Sequence, residues 1–288
     1  VGSEMCIRDR SRTKEGQDVE SFREMIPASI RIKSTAVRSF DDYRQRQIAV
    51  LNALPGDLPG MDCPECKNKG VIYALKDGYE IAKECSCMAV RRSWQRIEKS
   101  GLKDIMNRYT FKSYEIREPW QEQIMRSACD YCRSPEGWFF VGGQVGAGKT
   151  HICTAIVGKL LQNGKSAIYA PWKRIAAELK ACLNEPGYTA RMDELMKTDC
   201  LYLDDFLRTG AGDNGKKSPP TQGDLNLAYE IINNRYNGRK LTVISSELTT
   251  AEILQLDDAI GSRIAERARA HTNNIKRDIS RNYRLGGF

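Results

Sequence analysis

One stretch decides the fold: Gly143-Gln144-Val145-Gly146-Ala147-Gly148-Lys149-Thr150, which fits the pattern G-x-x-x-x-G-K-[ST] in full. An apolar segment, Trp138–Val141, precedes it, and an amphipathic segment, Thr150–Gln162, follows it. A glycine-rich turn between a strand and a helix turns backbone N–H groups inward, and the start of the helix adds a partial positive charge. The stretch therefore predicts a loop that binds nucleotide phosphates, and a chance glycine-rich turn is the weaker interpretation.

Each part of this phosphate loop has an expected role. The backbone of residues 143–148 is expected to surround the phosphates. Lys149 is expected to reach the β- and γ-phosphates, and the hydroxyl of Thr150 is expected to bind Mg²⁺. His151 comes next and is counted with the nucleotide-contacting positions, although a structural role suits it better than a catalytic one.

A second motif lies downstream, where the apolar run Leu201-Tyr202-Leu203 ends in Asp204 and Asp205. In P-loop NTPases this is the Walker B site. Asp204 is expected to hold Mg²⁺ through water, and Asp205 to lie near the γ-phosphate and polarise the attacking water. Phosphoryl transfer needs mainly positioning and charge neutralisation, so Lys149, Asp204 and Asp205 form the expected catalytic set. The alternative, a solvated Asp-Asp turn, is disfavoured by the phosphate loop upstream.

From about Tyr109 onward, strand-like runs alternate with helix-like runs. This alternation predicts an α/β fold with a parallel sheet and helices on both faces. The predicted strands are Trp138–Val141, Ala167–Ala170, Leu201–Leu203 and Leu241–Ser245. The predicted helices are Gln121–Cys132, Thr150–Gln162, Trp172–Leu183, Arg191–Met196, Leu225–Tyr236 and others within Ala251–Ala268.

The cysteines point to a metal rather than to disulfides. The chain has ten cysteines and no evident export signal, which argues against a disulfide framework. Cys63-x-x-Cys66 and Cys85-x-Cys87 supply four thiolates, the number that a tetrahedral structural zinc site requires. Residues 71–81 are predicted to form a hairpin between the two pairs. The second pair departs from the commonest C-x-x-C spacing, and a set of free thiols is the alternative.

Composition sets the broad class. The chain has 288 residues, of which 41% are hydrophobic and 28% charged, so it can bury a sizeable core. No apolar run approaches the roughly 18 residues that cross a bilayer, and a cytoplasmic protein is expected. The net charge of +8 suits contact with nucleic acid phosphates but is a weak indicator by itself.

Taken with the later run Thr242-Val243-Ile244-Ser245-Ser246, these motifs resemble the AAA+ helicase loaders of the DnaC/DnaI type. The likeness is greatest to phage and Gram-positive versions with a Cys-rich N-terminal module. The matching stretches are Cys63–Gly70, Gly142–Thr150, Val243–Leu248 and Ala259–Ile264. The likeness covers about Met61 to the C terminus, and the combination is far more specific than the phosphate loop alone.

The resemblance implies that the chain binds ATP, Mg²⁺ and Zn²⁺ and has an AAA+ core without a separate lid domain. The strand at 241–245 should lie between the phosphate-loop strand and the acidic strand. Four parts are expected: an N-terminal helical segment at 1–60, of which 1–10 reads as a cloning or assembly artefact, a zinc module at 61–90, a basic helical linker at 91–115 and the ATPase domain at 116–288.

The implied function is ATP-dependent loading of a replicative DnaB-type helicase hexamer onto single-stranded DNA, with self-association through the ATPase domain. Lys216 and Lys217, in the loop 210–220, could approach the DNA, although a plain solvated loop explains them nearly as well. Two alternatives are an IstB-type transposition helper ATPase, which shares the core, and a zinc adaptor that binds nucleotide without hydrolysing it. The Cys-rich module favours the loader, and the intact motifs argue against the adaptor.

The sensor 1 position is open within the resemblance. The end of the 241–245 strand should face the γ-phosphate, but Glu247 stands where many relatives have Asn. A carboxylate beside a phosphate is repulsive unless it is protonated or turned away. Either Ser245 or Ser246 is then the sensor, or Glu247 orients water.

The arginines are open as well. AAA+ proteins complete their site with an arginine finger from a neighbouring subunit. By motif position Arg267 is the first candidate and Arg263 the second. The two lie four residues apart on one helical face. A basic solvated helix surface is the alternative. Arg281 and Arg284 are weak candidates for a displaced sensor 2.

Overall fold

The computed structural model describes residues 40–99, 102–208 and 218–285. It divides into two compact units, one up to Ser86 and the other from Cys87 onward. The predicted artefact at 1–10, the other positions before residue 40, and Lys216 and Lys217 lie outside the described residues. The domain boundaries predicted near residues 60, 90 and 115 stay predictions.

Among its described residues, the first unit contains one helix and one hairpin. They are α1 (Phe40–Ala53), β1 (Val71–Lys76) and β2 (Tyr79–Glu84), with antiparallel pairing of the two strands. Asp77 and Gly78 both have positive φ, as a two-residue hairpin turn requires. The side-chain amide of Asn52 donates to the carbonyl of Tyr73 and accepts from its N–H, which joins α1 to β1. The hairpin predicted at 71–81 is confirmed.

The second unit is built on a five-stranded parallel sheet. Its strands are β3 (Trp138–Gly143), β4 (Ala167–Pro171), β5 (Cys200–Asp204), β6 (Leu241–Ser246) and β7 (Thr272–Ile275). The spatial order is β4-β5-β6-β3-β7, and all pairings are parallel. β6 therefore lies between the phosphate-loop strand and the acidic strand, as the resemblance implies. The predicted α/β class with an AAA+ P-loop core is confirmed.

Helices surround this sheet. They are α2 (Cys87–Lys99), α3 (Leu102–Arg108), α4 (Pro119–Arg133), α5 (Lys149–Gln162), α6 (Trp172–Ala181), α7 (Pro186–Lys197), α8 (Gln222–Asn237), α9 (Thr250–Leu256) and α10 (Asp258–Arg267). α6 ends two residues earlier than predicted. α7 is longer than predicted, because Pro186 occupies its first turn, where a missing N–H costs nothing.

The strands are apolar on both sides because both faces of the sheet are covered. β3 is buried at every position, as is typical of parallel strands between two helical layers. Phe140 packs with Ile244 in one buried cluster, and Phe139 packs with Val243 in the other. Successive side chains of a strand thus enter opposite sides of the sheet.

The described residues beyond α10 contain β7 and two 3₁₀ helices, Arg269–His271 and Ile279–Arg281. A separate lid domain is therefore not found in the described part of the chain. No helix among those residues has the length and apolar character to cross a membrane.

Arg235, on α8, is a charged side chain fully buried within the second unit. Its guanidinium donates to the hydroxyl of Thr242 on β6. It also donates to four backbone carbonyl groups, those of Leu195, Thr198, Asp199 and Leu241. Burial lowers the pKa of Arg235 to about 10. The charge is retained because backbone carbonyl groups replace its hydration. These carbonyls lie on α7, on the segment between α7 and β5, and on β6.

We expect Arg235→Met to lower the free energy of unfolding by about 3 kcal/mol or more, since it removes the five hydrogen bonds that this buried guanidinium donates. Denaturant titration measures this loss. Arg126→Ala is the matched control, because Arg126 only forms an exposed helix pair with Glu122 and should cost less than about 0.5 kcal/mol. Equal losses in both variants would contradict the structural role of Arg235.

Candidate functional site

The phosphate loop turns through three glycines with positive φ. Gly143, Gly146 and Gly148 have φ values of 105°, 75° and 81°, a region that other residues rarely adopt. A Cβ on Gly143 would collide with the carbonyl oxygen of Ile275 on β7. Gly148 is the N-cap of α5, so the helix start and its partial positive charge lie directly at the loop.

An open cleft of about 230 Å³ lies at this loop. It is lined by residues 145–151, which are predicted nucleotide contacts, and by Asp205 and Glu247. Gly143 and Gln144 form the start of the loop. The side chain of Gln144 accepts a hydrogen bond from the N–H of Asp278, so the chain after β7 lies over the loop.

Lys149 lies at the centre of the cleft. Only 7% of the residue is exposed, and its Nζ donates to the carbonyl groups of Gly143 at 3.0 Å and Gln144 at 2.6 Å. Burial lowers the pKa of Lys149, while the nearby carboxylates of Asp205 and Glu247 act in the opposite direction. The ammonium group is thus desolvated beside the loop, where an anion would replace its lost hydration.

Asp204 is a buried carboxylate surrounded by hydroxyl groups. It accepts hydrogen bonds from Tyr202 at 2.7 Å, Tyr169 at 2.8 Å and Thr150 at 3.3 Å, and from Ser245. Burial, and then the negative charge of Asp204, raise the pKa of both tyrosines, so they stay protonated and donate. A hydroxyl and a carboxylate side by side are hard oxygen donors of the kind that Mg²⁺ prefers.

Sequence reasoning missed Tyr169 and Tyr202. Tyr202 precedes Asp204 by two residues on β5, and side chains two apart in a strand share a face. Tyr169 pairs with Tyr202 across β4 and β5, which the sequence does not reveal without the register of the strands. The alternation rule alone could have found Tyr202.

Asp205 is turned towards the cleft by an unusual backbone. Its φ is 52°, and its N–H donates to the hydroxyl of Ser245 at 3.1 Å. Its carboxylate accepts from Arg208 at 2.6 Å. The same guanidinium lies 3.3 Å from Glu247 through Nε. One arginine, which sequence reasoning also missed, therefore pairs with both acids.

The three candidates for sensor 1 have different surroundings. The hydroxyl of Ser246 donates to the carbonyl of Phe206 at 2.7 Å and accepts from the N–H of Leu248, and Ser246 is absent from the lining of the cleft. Ser245 bonds to Asp204 instead. Glu247 is the one of the three that lines the cleft, where Arg208 balances its charge.

His151 lies at the edge of the cleft. Its Nε2 is 2.9 Å from the carbonyl oxygen of Thr110, so this nitrogen is the donor. Its ring stacks on Tyr109 with a centroid distance of 4.6 Å. Burial lowers the pKa of His151, so the imidazole is neutral at pH 7 and holds the segment before α4 against α5.

The arginine-finger candidates lie outside this cleft. Arg263 donates to the carbonyl of Ala259 on its own helix, and its guanidinium lies over the rings of Tyr229 and Tyr236. Neither Arg263 nor Arg267 lines the cleft, so neither completes it within one chain. Arg284 does line it.

The four predicted zinc ligands form one cluster. The Sγ atoms of Cys63, Cys66, Cys85 and Cys87 all lie within 4.8 Å of one another and are buried, and those of Cys63 and Cys85 are 3.7 Å apart. Four sulfurs bound to one zinc at about 2.3 Å would be separated by nearly this distance. The N–H of Gly70 donates to the sulfur of Cys66, which favours a thiolate. The donor set therefore fits a structural Zn²⁺.

Comparison with known proteins gives a family and several relatives. The profile of a family described as IstB-like ATP binding protein matches residues 77–285. The phage-like element PBSX protein XkdC of Bacillus subtilis is 29% identical over 253 residues, covering 81% of this chain and 90% of that protein. The replicative helicase loader DnaC of Buchnera aphidicola is 20% identical over 177 residues, covering 59% of this chain and 67% of that protein.

Two solved structures are also similar to part of this chain. A crystal structure of the DnaC helicase loader has a TM-score of 0.48 and 19% identity, covering 58% of this chain and 97% of that chain. A crystal structure of DnaI has a TM-score of 0.46 and 18% identity, covering 62% of this chain and 92% of that chain.

We expect purified chain to contain about one zinc per molecule and Cys85→Ser to lose it, because three thiolates leave the tetrahedral site incomplete. Metal analysis after gel filtration measures the stoichiometry. Cys182→Ser is the control, since Cys182 lies outside the cluster and its loss should leave zinc unchanged. Full zinc content in Cys85→Ser would rule out the four-ligand site.

Proposed function

The chain belongs to the IstB-like ATP binding protein family, and on that premise we propose that it hydrolyses ATP and loads a replicative helicase onto single-stranded DNA. The observation that carries the ATPase part is the meeting of Lys149, Thr150, Asp204 and Asp205 at one loop. These residue types at one strand edge suit phosphoryl transfer, which needs positioning and charge neutralisation.

Each residue has a role in this proposal. The loop backbone at 143–148 and Lys149 bind the triphosphate. Thr150 directly and Asp204 through water would hold Mg²⁺, and the ion would neutralise phosphate charge when bound. Asp205 orients the attacking water and accepts hydrogen bonds from it. The four hydroxyls that surround Asp204 keep its carboxylate in place.

The loading part of the proposal rests on relatives and on the cysteine cluster. Proteins named replicative helicase loader DnaC are among the relatives, and the chain has a Cys-rich module of the type found in phage and Gram-positive loaders. In this proposal the N-terminal helical segment and the zinc module bind a DnaB-type helicase hexamer. ATP binding assembles loader subunits on that ring through their ATPase domains, and hydrolysis releases them.

The site is completed between subunits in this proposal. Arg267, or else Arg263, reaches the γ-phosphate held by a neighbouring copy and neutralises charge in the transition state. The position of both arginines away from the cleft of their own chain supports this arrangement. The interactions of Arg263 with the rings of Tyr229 and Tyr236 make Arg267 the better candidate.

A second candidate is an ATPase that helps a transposase. The name of the matching family, IstB-like ATP binding protein, favours it as much as it favours the loader, because both share this ATPase core. The Cys-rich module favours the loader, since the transposition helpers with this core generally lack it. The two functions differ in the protein that the chain captures.

We expect Asp205→Ala to lower the rate of ATP turnover by roughly 100-fold or more, the usual contribution of a positioned acid or base. Phosphate release by the purified chain, measured with single-stranded DNA and helicase present, gives the rate. Asp193→Ala is the control, because Asp193 forms an exposed pair with Lys197 on α7. Equal turnover in wild type and Asp205→Ala would remove Asp205 from the mechanism.

We expect immobilised chain to retain the replicative helicase of its host in the presence of Mg-ATP and to retain less of it with ADP. A pull-down with purified helicase, and in parallel with a purified transposase, measures the preference. Lys149→Ala, which should bind no nucleotide, controls for nucleotide dependence. Retention of the transposase while the helicase is ignored would replace the loader by the transposition helper.

A further inference from the structure

Two acids and one arginine form a linked cluster at the cleft. Nη1 of Arg208 donates to Oδ2 of Asp205 at 2.6 Å, and Nε of Arg208 lies 3.3 Å from Oε1 of Glu247. All three side chains line the cleft together with Lys149. The turn that holds Arg208 has positive φ at Asp205 and Leu207, and this uncommon backbone brings position 208 back over position 205.

The two carboxylates are not equivalent partners. The side chain of Glu247 is 8% exposed and that of Asp205 is 36% exposed. Glu247 is therefore a fixed anchor for the guanidinium, whereas Asp205 can leave it and be hydrated. A guanidinium has five N–H donors in a planar fork. Within the described part of the chain, Arg208 contacts these two acids through Nη1 and Nε. The guanidinium therefore has further N–H groups that can bind another anion.

We propose that Arg208 binds the γ-phosphate of the nucleoside triphosphate from within the same chain, held by Glu247, and that it gives up Asp205 when it does so. This rests on the proposed ATPase function and adds a residue to it. A terminal phosphate carries more negative charge than a carboxylate and matches the guanidinium fork, so it displaces Asp205. A nucleoside diphosphate places no phosphate at the γ-position, so Asp205 keeps its arginine.

This arrangement resolves the electrostatic problem at position 247. The carboxylate of Glu247 alone would repel a bound phosphate, but here it is paired with Arg208, which it orients. The hydrogen bond to Asp205 and, to a lesser degree, the charge of Glu247 raise the pKa of Arg208, so the guanidinium stays protonated. Glu247 thus acts on the nucleotide through Arg208. Asp205 becomes available to water only when a triphosphate is bound.

The test is the preference for triphosphate over diphosphate. We expect Arg208→Ala to weaken binding of a non-hydrolysable ATP analogue with Mg²⁺ by roughly tenfold or more, the loss of a charge-assisted hydrogen bond, and to change ADP affinity by less than about threefold. Arg208→Lys should fall between. Arg133→Ala, which removes an exposed arginine paired with Asp130, should change neither. Calorimetry or fluorescence titration gives both affinities, and unchanged ADP binding shows that the variant is folded.

A double-mutant cycle tests the exchange itself. We expect Asp205→Asn to tighten binding of the ATP analogue, because it removes the group that competes for Arg208, and we expect this gain to vanish in the Arg208→Ala background. Equal losses for the ATP analogue and ADP in Arg208→Ala, or the same gain from Asp205→Asn with and without Arg208, would overturn the inference. If wild type binds neither nucleotide, the proposed ATPase function fails instead.

Discussion

The rest of the site depends on the hydrogen bonds that four hydroxyl groups donate to the buried carboxylate of Asp204. A buried charge is costly unless hydrogen bonds replace its hydration. Here the donors come from different elements: Thr150 on α5, Tyr169 on β4, Tyr202 on β5, which also holds Asp204, and Ser245 on β6. Loss of the packing between any two of these elements would remove a donor. The charge therefore couples the phosphate loop to three neighbouring strands, and the position of Thr150 follows from it.

The hydroxyl of Ser245 extends this control to the second acid. It donates to Asp204 and accepts from the N–H of Asp205. A single hydroxyl thus fixes one carboxylate directly and the backbone of the next residue. Because the backbone of Asp205 is held with positive φ, its side chain does not continue the alternation of the strand. It reaches the cleft and meets Arg208, so consecutive acids in the sequence acquire separate surroundings: one is buried among hydroxyls, and the other is half-exposed beside a guanidinium.

Much of this could be predicted from the sequence, and the rest depended on geometry that sequence patterns do not contain. The phosphate loop and alternating runs predict the core because glycine conformation and strand burial are local properties. The four cysteines predict their own cluster because zinc fixes ligand number and distance. Arg208 could not be found in this way, since its place follows from positive φ at Asp205 and Leu207, residue types that usually avoid it. Tyr169 required the register of β4 against β5.

The assignment at the end of β6 shows why a motif position does not determine a role. Ser246 and Glu247 are neighbours, and either could face the phosphates if the motif alone is read. The structure separates them by their contacts: the hydroxyl of Ser246 donates to the backbone of the turn after β5, whereas Glu247 lines the cleft. A carboxylate is tolerated there because Lys149 and Arg208 lie beside it and the acids do not outnumber the cations. An anionic ligand would therefore meet a cleft whose two acids are already paired with Arg208.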